Sequence, residues 1–313
     1  PDQAIAISIA VAGSTAYAGT TSVGASSPLY TGAVASVPSN GGATHALSAP
    51  DFNFGTLASD GARLYYPRTS GRPEGPNGAI YETVGLASLD LATGAIHPIA
   101  TTTPPRSTSS NLGSTMIAAT LAWPGVFWIG APSGAATATT VSAWDARADT
   151  VTTIATGEAL SGLAADATGV YWADTGGGQG ITVYGTGLEG ASPSVVATVP
   201  GGKYGQLLGV SSAYIVFVSD YATGSIEIAS KAGGPVTHLV TAAAAWVNDF
   251  AWVDDTYLYW VESAAQTMLK RIPVAGGPVE VVPTQGDVQS LAFDACNVTV
   301  GSTAPTRVFV LPK

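Results

Sequence analysis

Short apolar runs alternate with turn residues along the whole chain, and no segment sustains the 3.6-residue apolar period and end caps of an amphipathic helix. One pattern recurs most clearly: small or apolar residues, a turn carrying Asp, then an apolar–aromatic pair. Leu57-Ala58-Ser59-Asp60 leads to Leu64-Tyr65-Tyr66, and Leu163-Ala164-Ala165-Asp166 leads to Val170-Tyr171-Trp172. Ala251-Trp252-Val253-Asp254 leads likewise to Leu258-Tyr259-Trp260, and Leu291-Ala292-Phe293-Asp294 to Val298-Thr299-Val300. Weaker copies centre on Tyr17, Phe127 and Phe217. A second pattern follows each marker. Val37 to Gly42, Ala229 to Pro235 and Ile272 to Pro278 are related Gly-Gly turns, each feeding a short strand. Glycine pairs supply the positive φ that tight hairpin turns need. Each unit therefore reads strand A, Asp turn, aromatic strand B, variable loop, strand C, Gly-rich turn, strand D.

The middle aromatic positions, 17, 65, 127, 171, 217, 259 and 299, are spaced 40 to 62 residues apart. A four-stranded propeller blade repeats every ~40–50 residues. The pattern predicts an all-β fold, a seven-bladed β-propeller of four-stranded blades, with 1–313 as a single domain. Its blades cover about residues 8–50, 56–101, 116–156, 161–200, 206–241, 248–283 and 289–313. The last unit stops at the end of a strand C. The apolar alternation of Gln3 to Ala6 then predicts an N-terminal strand that completes the last blade and closes the ring. Six blades plus an appended hairpin is the structural alternative.

Tyr171-Trp172-Ala173-Asp174, with a Gly-rich loop after it, resembles the YWTD repeat of LDL-receptor-type propellers. It is also similar to the Tyr-Trp and Gly-Gly-Pro repeats of many secreted bacterial propellers. Only one copy keeps Asp in the fourth position with both aromatics before it, and seven markers stand where the receptor propellers have six blades. The resemblance implies the fold and an extracytoplasmic setting. It carries no catalytic residue.

Composition narrows the setting. Charged residues make up 10% of the 313, while 46% are hydrophobic, enough to bury a large core. A net charge of −10 leaves no positive field for phosphate backbones, so no nucleic-acid partner is expected. The lone Cys296 excludes an intramolecular disulfide or a cysteine zinc cluster. No membrane span is expected: Met116 to Gly130, the most apolar stretch of a long uncharged segment, is broken by Pro124-Gly125. Few lysines and abundant Ser, Thr, Gly and Ala suit a secreted, periplasmic or cell-surface protein. The numbering contains no signal peptide.

Candidate chemistry gathers at the loop end that carries the D–A and B–C connections. Three residues beyond the markers lie Arg68, Asp174, Asp220 and Glu262. The last three end strand B in adjacent blades and form a candidate metal set for Ca²⁺, which takes six to eight oxygens. Ca²⁺ is the one cofactor considered. Arg68, Arg106, Tyr204, Tyr221, Trp246 and Asp249 are candidate ligand-binding residues, since aromatic and charged loop residues dominate recognition surfaces. Asp60, Asp166, Asp254 and Asp294 fall in A–B turns, where Asp caps its own backbone. His45, His97 and His238 fall in strand D of different blades, too far apart for a shared metal or a catalytic triad. Gly185 to Gly190 spells G-x-G-x-x-G on a C–D turn without the helix such a motif requires. The expected function is an extracytoplasmic binding or scaffold propeller recognising a protein or other ligand on the D–A/B–C face. The alternatives are a metal-assisted enzyme of the lactonase, lyase or hydrolase kind, and a carbohydrate-binding lectin. Whether the protein is an enzyme stays open, with a non-catalytic role favoured.

Overall fold

Every element with a described course is a β-strand, and every pairing between strands is antiparallel and sequential. The computed structural model describes residues 4–23, 30–38, 43, 45–47, 57–70, 82–100, 116–120, 122–130, 139–176, 180–190, 192–201, 205–220, 224–241, 246–263, 267–284, 286–293, 297–302 and 307–312. The strands fall into seven consecutive meanders. The first holds β1 (Ala4–Ala12), β2 (Thr15–Val23), β3 (Tyr30–Pro38) and β4 (His45–Leu47). The second holds β5 (Ala58–Ser59), β6 (Arg63–Ser70), β7 (Glu82–Asp90) and β8 (Ile96–Ala100). The third holds β9 (Met116–Thr120), β10 (Trp123–Gly130), β11 (Thr139–Asp145) and β12 (Thr150–Gly157). The fourth holds β13 (Leu160–Ala165), β14 (Val170–Asp174), β15 (Gly180–Thr186) and β16 (Ser194–Pro200). The fifth holds β17 (Gln206–Val210), β18 (Tyr214–Asp220), β19 (Ser225–Ser230) and β20 (Thr237–Thr241). The sixth holds β21 (Trp246–Val253), β22 (Tyr257–Ser263), β23 (Thr267–Pro273) and β24 (Glu280–Val282). The seventh holds β25 (Val288–Phe293), β26 (Asn297–Ser302) and β27 (Arg307–Pro312). Seven such meanders are the blades of a seven-bladed β-propeller, as the repeat predicts.

One expectation is corrected. Ala4 to Ala6 do not complete the last blade: they open β1 and face Ser22, Thr21 and Thr20 of β2 in the first blade. A bulge between Ala6 and Ser8 shifts the apolar alternation there, so one nine-residue strand reads in sequence as two short ones. Gln3 lies outside the described residues. Among the described residues the seventh blade has three strands, in the order β25-β26-β27.

The described residues divide into two compact units. One comprises Pro1–Ile117, Ala131–Ala136 and Gln289–Lys313, and so contains blades 1 and 2 and most of blade 7. There Tyr17 and Val34 of blade 1 pack with Leu57, Leu64, Tyr66 and Leu89 of blade 2. Blade 1 also meets blade 7 through Ile9, Ala16, Ala18 and Ala292. The second unit, Ala118–Gly130 and Thr137–Val288, contains blades 3 to 6. Tyr171, Ile181 and Val183 of blade 4 interlock with Leu207, Ile215 and Phe217 of blade 5. On the other face of blade 5, Val216, Val218 and Ile226 pack on Leu258, Trp260 and Ile272 of blade 6. Strand B is therefore covered on both faces, which explains why it reads as an unbroken apolar run rather than an alternation.

The Asp turns fold as expected. Asp60 Oδ1 accepts the N–H groups of Ala62 and Arg63, and Asp60 Oδ2 accepts the Tyr65 hydroxyl at 2.5 Å. Asp166 and Asp254 cap their own turns in the same way. Asp294 lies outside the described residues. Burial, and then the Asp60 carboxylate, push the Tyr65 phenol well above its usual range. The Gly185 to Gly190 segment joins β15 to β16, two strands, so no phosphate-binding helix follows it.

Candidate functional site

The loop end of the second unit is knitted by hydrogen bonds between the connections themselves. Thr139 Oγ1, at the start of β11, donates to the Gly157 carbonyl at 3.2 Å. The Thr175 N–H and hydroxyl both donate to the Ala159 carbonyl, tying the loop after β14 to the turn before β13. Ser161 Oγ reaches from blade 4 to the Gly205 carbonyl of blade 5 at 2.7 Å. Such main-chain ties replace water as the partner of loop backbone groups and fix the loops as a platform.

Asp174 ends β14 on this platform, partly exposed, and its Oδ1 accepts the Gly176 N–H at 2.9 Å. Gly157 leaves room for it: a Cβ at Gly157 would stand 2.9 Å from Asp174 Oδ2. Asp220 ends β18 at the matching position, also partly exposed, with its backbone carbonyl accepting the Gly224 N–H. Glu262 differs. It is 6% exposed, and its Oε1 takes the Lys270 ammonium at 2.7 Å across the β22–β23 hairpin. A buried carboxylate stays charged only with such a partner. Among the described residues no three His, Cys, Asp or Glu side chains are placed to hold a metal ion. Asp174, Asp220 and Glu262, all described, are therefore not brought together as the candidate Ca²⁺ set, and Glu262 is committed to Lys270.

Of the ligand-binding candidates, Arg68 lies in β6 opposite Gly85, in the first unit. Trp246 and Asp249 lie in β21, where Trp246 faces Ser263 and a register shift separates Val247 from Ala251. The side chains of these three are outside the described residues, as are Arg106, Tyr204 and Tyr221 altogether.

Sequence reasoning missed a polar row that crosses strands C and D. Opposite the middle residue of strand B, strand C carries Ser36, Ser88, Ala143, Gly185, Glu227 and Arg271 in blades 1 to 6. Strand D there carries His45, His97, Thr152, Ser194, His238 and Glu280. In blade 6 Arg271 Nε donates to Glu280 Oε2 at 2.7 Å, and the Glu280 carboxylate holds the guanidinium above its ordinary value. Blade 5 reverses the charges: His238 Nδ1 lies 3.3 Å from Glu227 Oε1. The Ser219 hydroxyl donates to that same Glu227 oxygen at 3.0 Å. Glutamate sits between serine and histidine here, and a nucleophilic triad needs histidine in the middle to take the serine proton. The shared repeat position of the three histidines was the one signal that pointed to this row.

No protein family matches the chain, and no curated protein does. Solved structures do. The chain is similar to the structure described as "Crystal structure of Nidogen/Laminin Complex", with 14% identity over 89% of this chain and 94% of that one, at a TM-score of 0.54. It is similar to the β-propeller domain of the Trilobed protease from Pyrococcus furiosus, described as having an open velcro topology. That match has 11% identity over 98% of this chain and 93% of that one, at a TM-score of 0.68. It is also similar to the acylaminoacyl peptidase of Pyrococcus horikoshii, of which it spans 51%, with 10% identity over 98% of this chain and a TM-score of 0.64. At these identities the likeness establishes the β-propeller fold.

Proposed function

We propose that the chain is an extracytoplasmic binding or scaffold module that engages a protein ligand at the D–A/B–C loop end of its blades. The observation that carries this reading is the hydrogen-bonded platform of blades 4 and 5, which holds Asp174 and Asp220 at one repeat position on rigid strand ends. Two carboxylates so placed accept hydrogen bonds from cationic or amide groups of a ligand, at little cost in ordering the protein. A propeller also forms part of, or stands beside, the binding partners named for the nidogen–laminin structure, whereas the peptidase neighbours extend well beyond the length this chain covers. The uncharged polar surface chemistry of the sequence supports the extracytoplasmic setting. The metal-assisted reading draws no support from Glu262, whose charge Lys270 already neutralises.

The test is a comparative capture experiment. The immobilised chain is exposed to secreted proteins of its own source, alongside the D174N/D220N double variant and Lys231→Ala, which alters an A–B/C–D turn contact. A protein retained by the wild type and by Lys231→Ala, but about tenfold less by the double variant, supports the assignment. Equal capture by all three, or loss only with Lys231→Ala, sinks it.

A further inference from the structure

We infer that the outer edge of β27 is an acceptor for one extended strand supplied by a partner polypeptide. This surface is separate from the loop end and independent of that assignment. Six blades show the same construction: strand C is covered by a strand D on its far side. In the seventh, β27 pairs with β26 from Asn297↔Pro312 to Ser302↔Arg307, and among the described residues nothing pairs beyond it. The register makes β27 a strand C. Val298↔Leu311 corresponds to Leu258↔Ile272 and Thr299↔Val310 to Tyr259↔Arg271, and Pro312 stands where β23 has Pro273.

Two features mark this edge as incomplete rather than protected. The position of Leu311 is occupied in blades 2, 3, 5 and 6 by Leu89, Trp144, Ile228 and Ile272, all 6% exposed or less, whereas Leu311 keeps partial exposure. Natural edge strands are guarded by interior Lys, charge or Pro against pairing with other chains. β27 reads Arg-Val-Phe-Val-Leu-Pro, with its charge and its proline only at the ends. Its free N–H and C=O groups and its apolar side chains are the receiving half of strand addition.

The strands D of the complete blades define the occupant's chemistry. At the position facing Val310 they carry His, Thr, Ser or Glu, and two residues on they carry small or β-branched apolar residues, as in Glu280-Val281-Val282 and His45-Ala46-Leu47. β4 and β24 are only three residues long, so a short segment suffices. The fitting ligand is an extended segment antiparallel to β27, polar opposite Val310 and apolar opposite Val308.

The probe is a synthetic peptide copying Gly277 to Pro283, this chain's own sixth strand D with its turn. Titrated into the full chain, it should bind once per molecule and slow amide exchange in residues 307–312 about tenfold. The same peptide N-methylated at its Glu280 and Val281 equivalents, unable to make the main-chain bonds, should do neither. Four results would overturn the inference. They are no binding at millimolar peptide, equal binding of the methylated peptide, protection elsewhere, and amides of 307–312 already protected in the free chain through a dimer or a contact of its own. Because the decisive change is made in the peptide, no outcome depends on a variant's ability to fold.

Discussion

The packing of blades 4, 5 and 6 differs in kind from the packing of blade 7 on blade 1. Between blades 4, 5 and 6 the buried groups are large: Tyr171, Phe217, Trp260 and several Ile, Val and Leu side chains. Polar clamps add to them. Lys231 of blade 5 pairs with Asp166 of blade 4 and lies 4.5 Å from the centre of the Tyr171 ring. Asp255 of blade 6 accepts the Ser212 hydroxyl and the Ala213 N–H of blade 5. Between blades 1 and 7 the buried cluster is Ile9 with three alanines, Ala16, Ala18 and Ala292. Buried apolar area contributes about 25 cal/mol per Å², so a contact built on alanines contributes less than one built on Trp and Phe. The first kind of contact holds the sheets by bulk and by specific polar ties, the second by close approach of small residues.

The largest effect that checks this contrast is Trp260→Ala. The side chain is fully buried, and its removal should cost about 3–5 kcal/mol by denaturant unfolding. Ile9→Ala should cost about 2 kcal/mol, the lower end for a buried aliphatic, because its alanine neighbours give it few contacts to lose. Equal losses for the two would break the comparison.

A glycine pair sharpens it at somewhat smaller scale. Gly162 has φ +68° in the bulge of β13, and a Cβ there would stand 2.2 Å from the Leu207 carbonyl oxygen of the next blade. Gly13, in the β1–β2 turn, has φ +58° with nothing within 4 Å of a Cβ. Gly13→Ala should cost about 1 kcal/mol, the conformational penalty alone. Gly162→Ala should cost about 3 kcal/mol, the same penalty plus overpacking against a backbone that cannot move aside. A difference below about 1 kcal/mol would mean that blades 4 and 5 are not in the close contact described.

These contrasts bear on what the sequence could disclose. The aromatic strand B and its Asp turn are local signals, and each placed its blade because burial on both faces leaves no alternative to a continuous apolar run. The Gly-Gly turns at Gly233-Gly234 and Gly276-Gly277 were legible for the same reason: positive φ at four consecutive blade-turn positions selects glycine. The fate of Ala4 to Ala6 was not legible, since a bulge after Ala6 breaks the alternation and no local rule says which sheet a strand joins. The candidate site was half legible. The repeat register found Asp174, Asp220 and Glu262, but Lys270 is eight residues from Glu262 across a hairpin and looks in sequence like any exposed lysine. The Glu227–His238 pair was hidden likewise, because its repeat equivalent, Arg271–Glu280, carries the opposite charges.

The clamp between Lys231 and Asp166 is worth less than the apolar contacts. Its side chains are 11% and 18% exposed, intermediate between a surface pair and a buried one. A double-mutant cycle with Lys231→Met and Asp166→Asn should return a coupling of about 1 kcal/mol, reduced by roughly half in 1 M salt. A coupling near zero would leave blades 4 and 5 held by apolar packing alone, and the contrast with the alanine contact would then rest on side-chain size.

The smallest effect is a dependence on pH. The Ser212 and Ser211 hydroxyls, followed by the Ala213 N–H, hold the Asp255 carboxyl below the usual carboxylate range in the folded protein. A carboxyl with a depressed folded pKa favours the folded state in its charged form. That contribution is complete above the unfolded value of about 3.9 and disappears as pH falls through the lower folded value. Asp255 is well exposed, so solvent keeps the effect small. In the first unit Asp90 is depressed too, mainly by the Thr93 hydroxyl and N–H, but these partners lie within its own turn. Acidification below about pH 4 should therefore speed amide exchange at Ala213 and its neighbours in the blade 5 turn, an effect that Asp255→Asn abolishes and Asp90→Asn leaves intact. If both substitutions act alike at Ala213, the clamp between blades 5 and 6 is not what the carboxylate sustains.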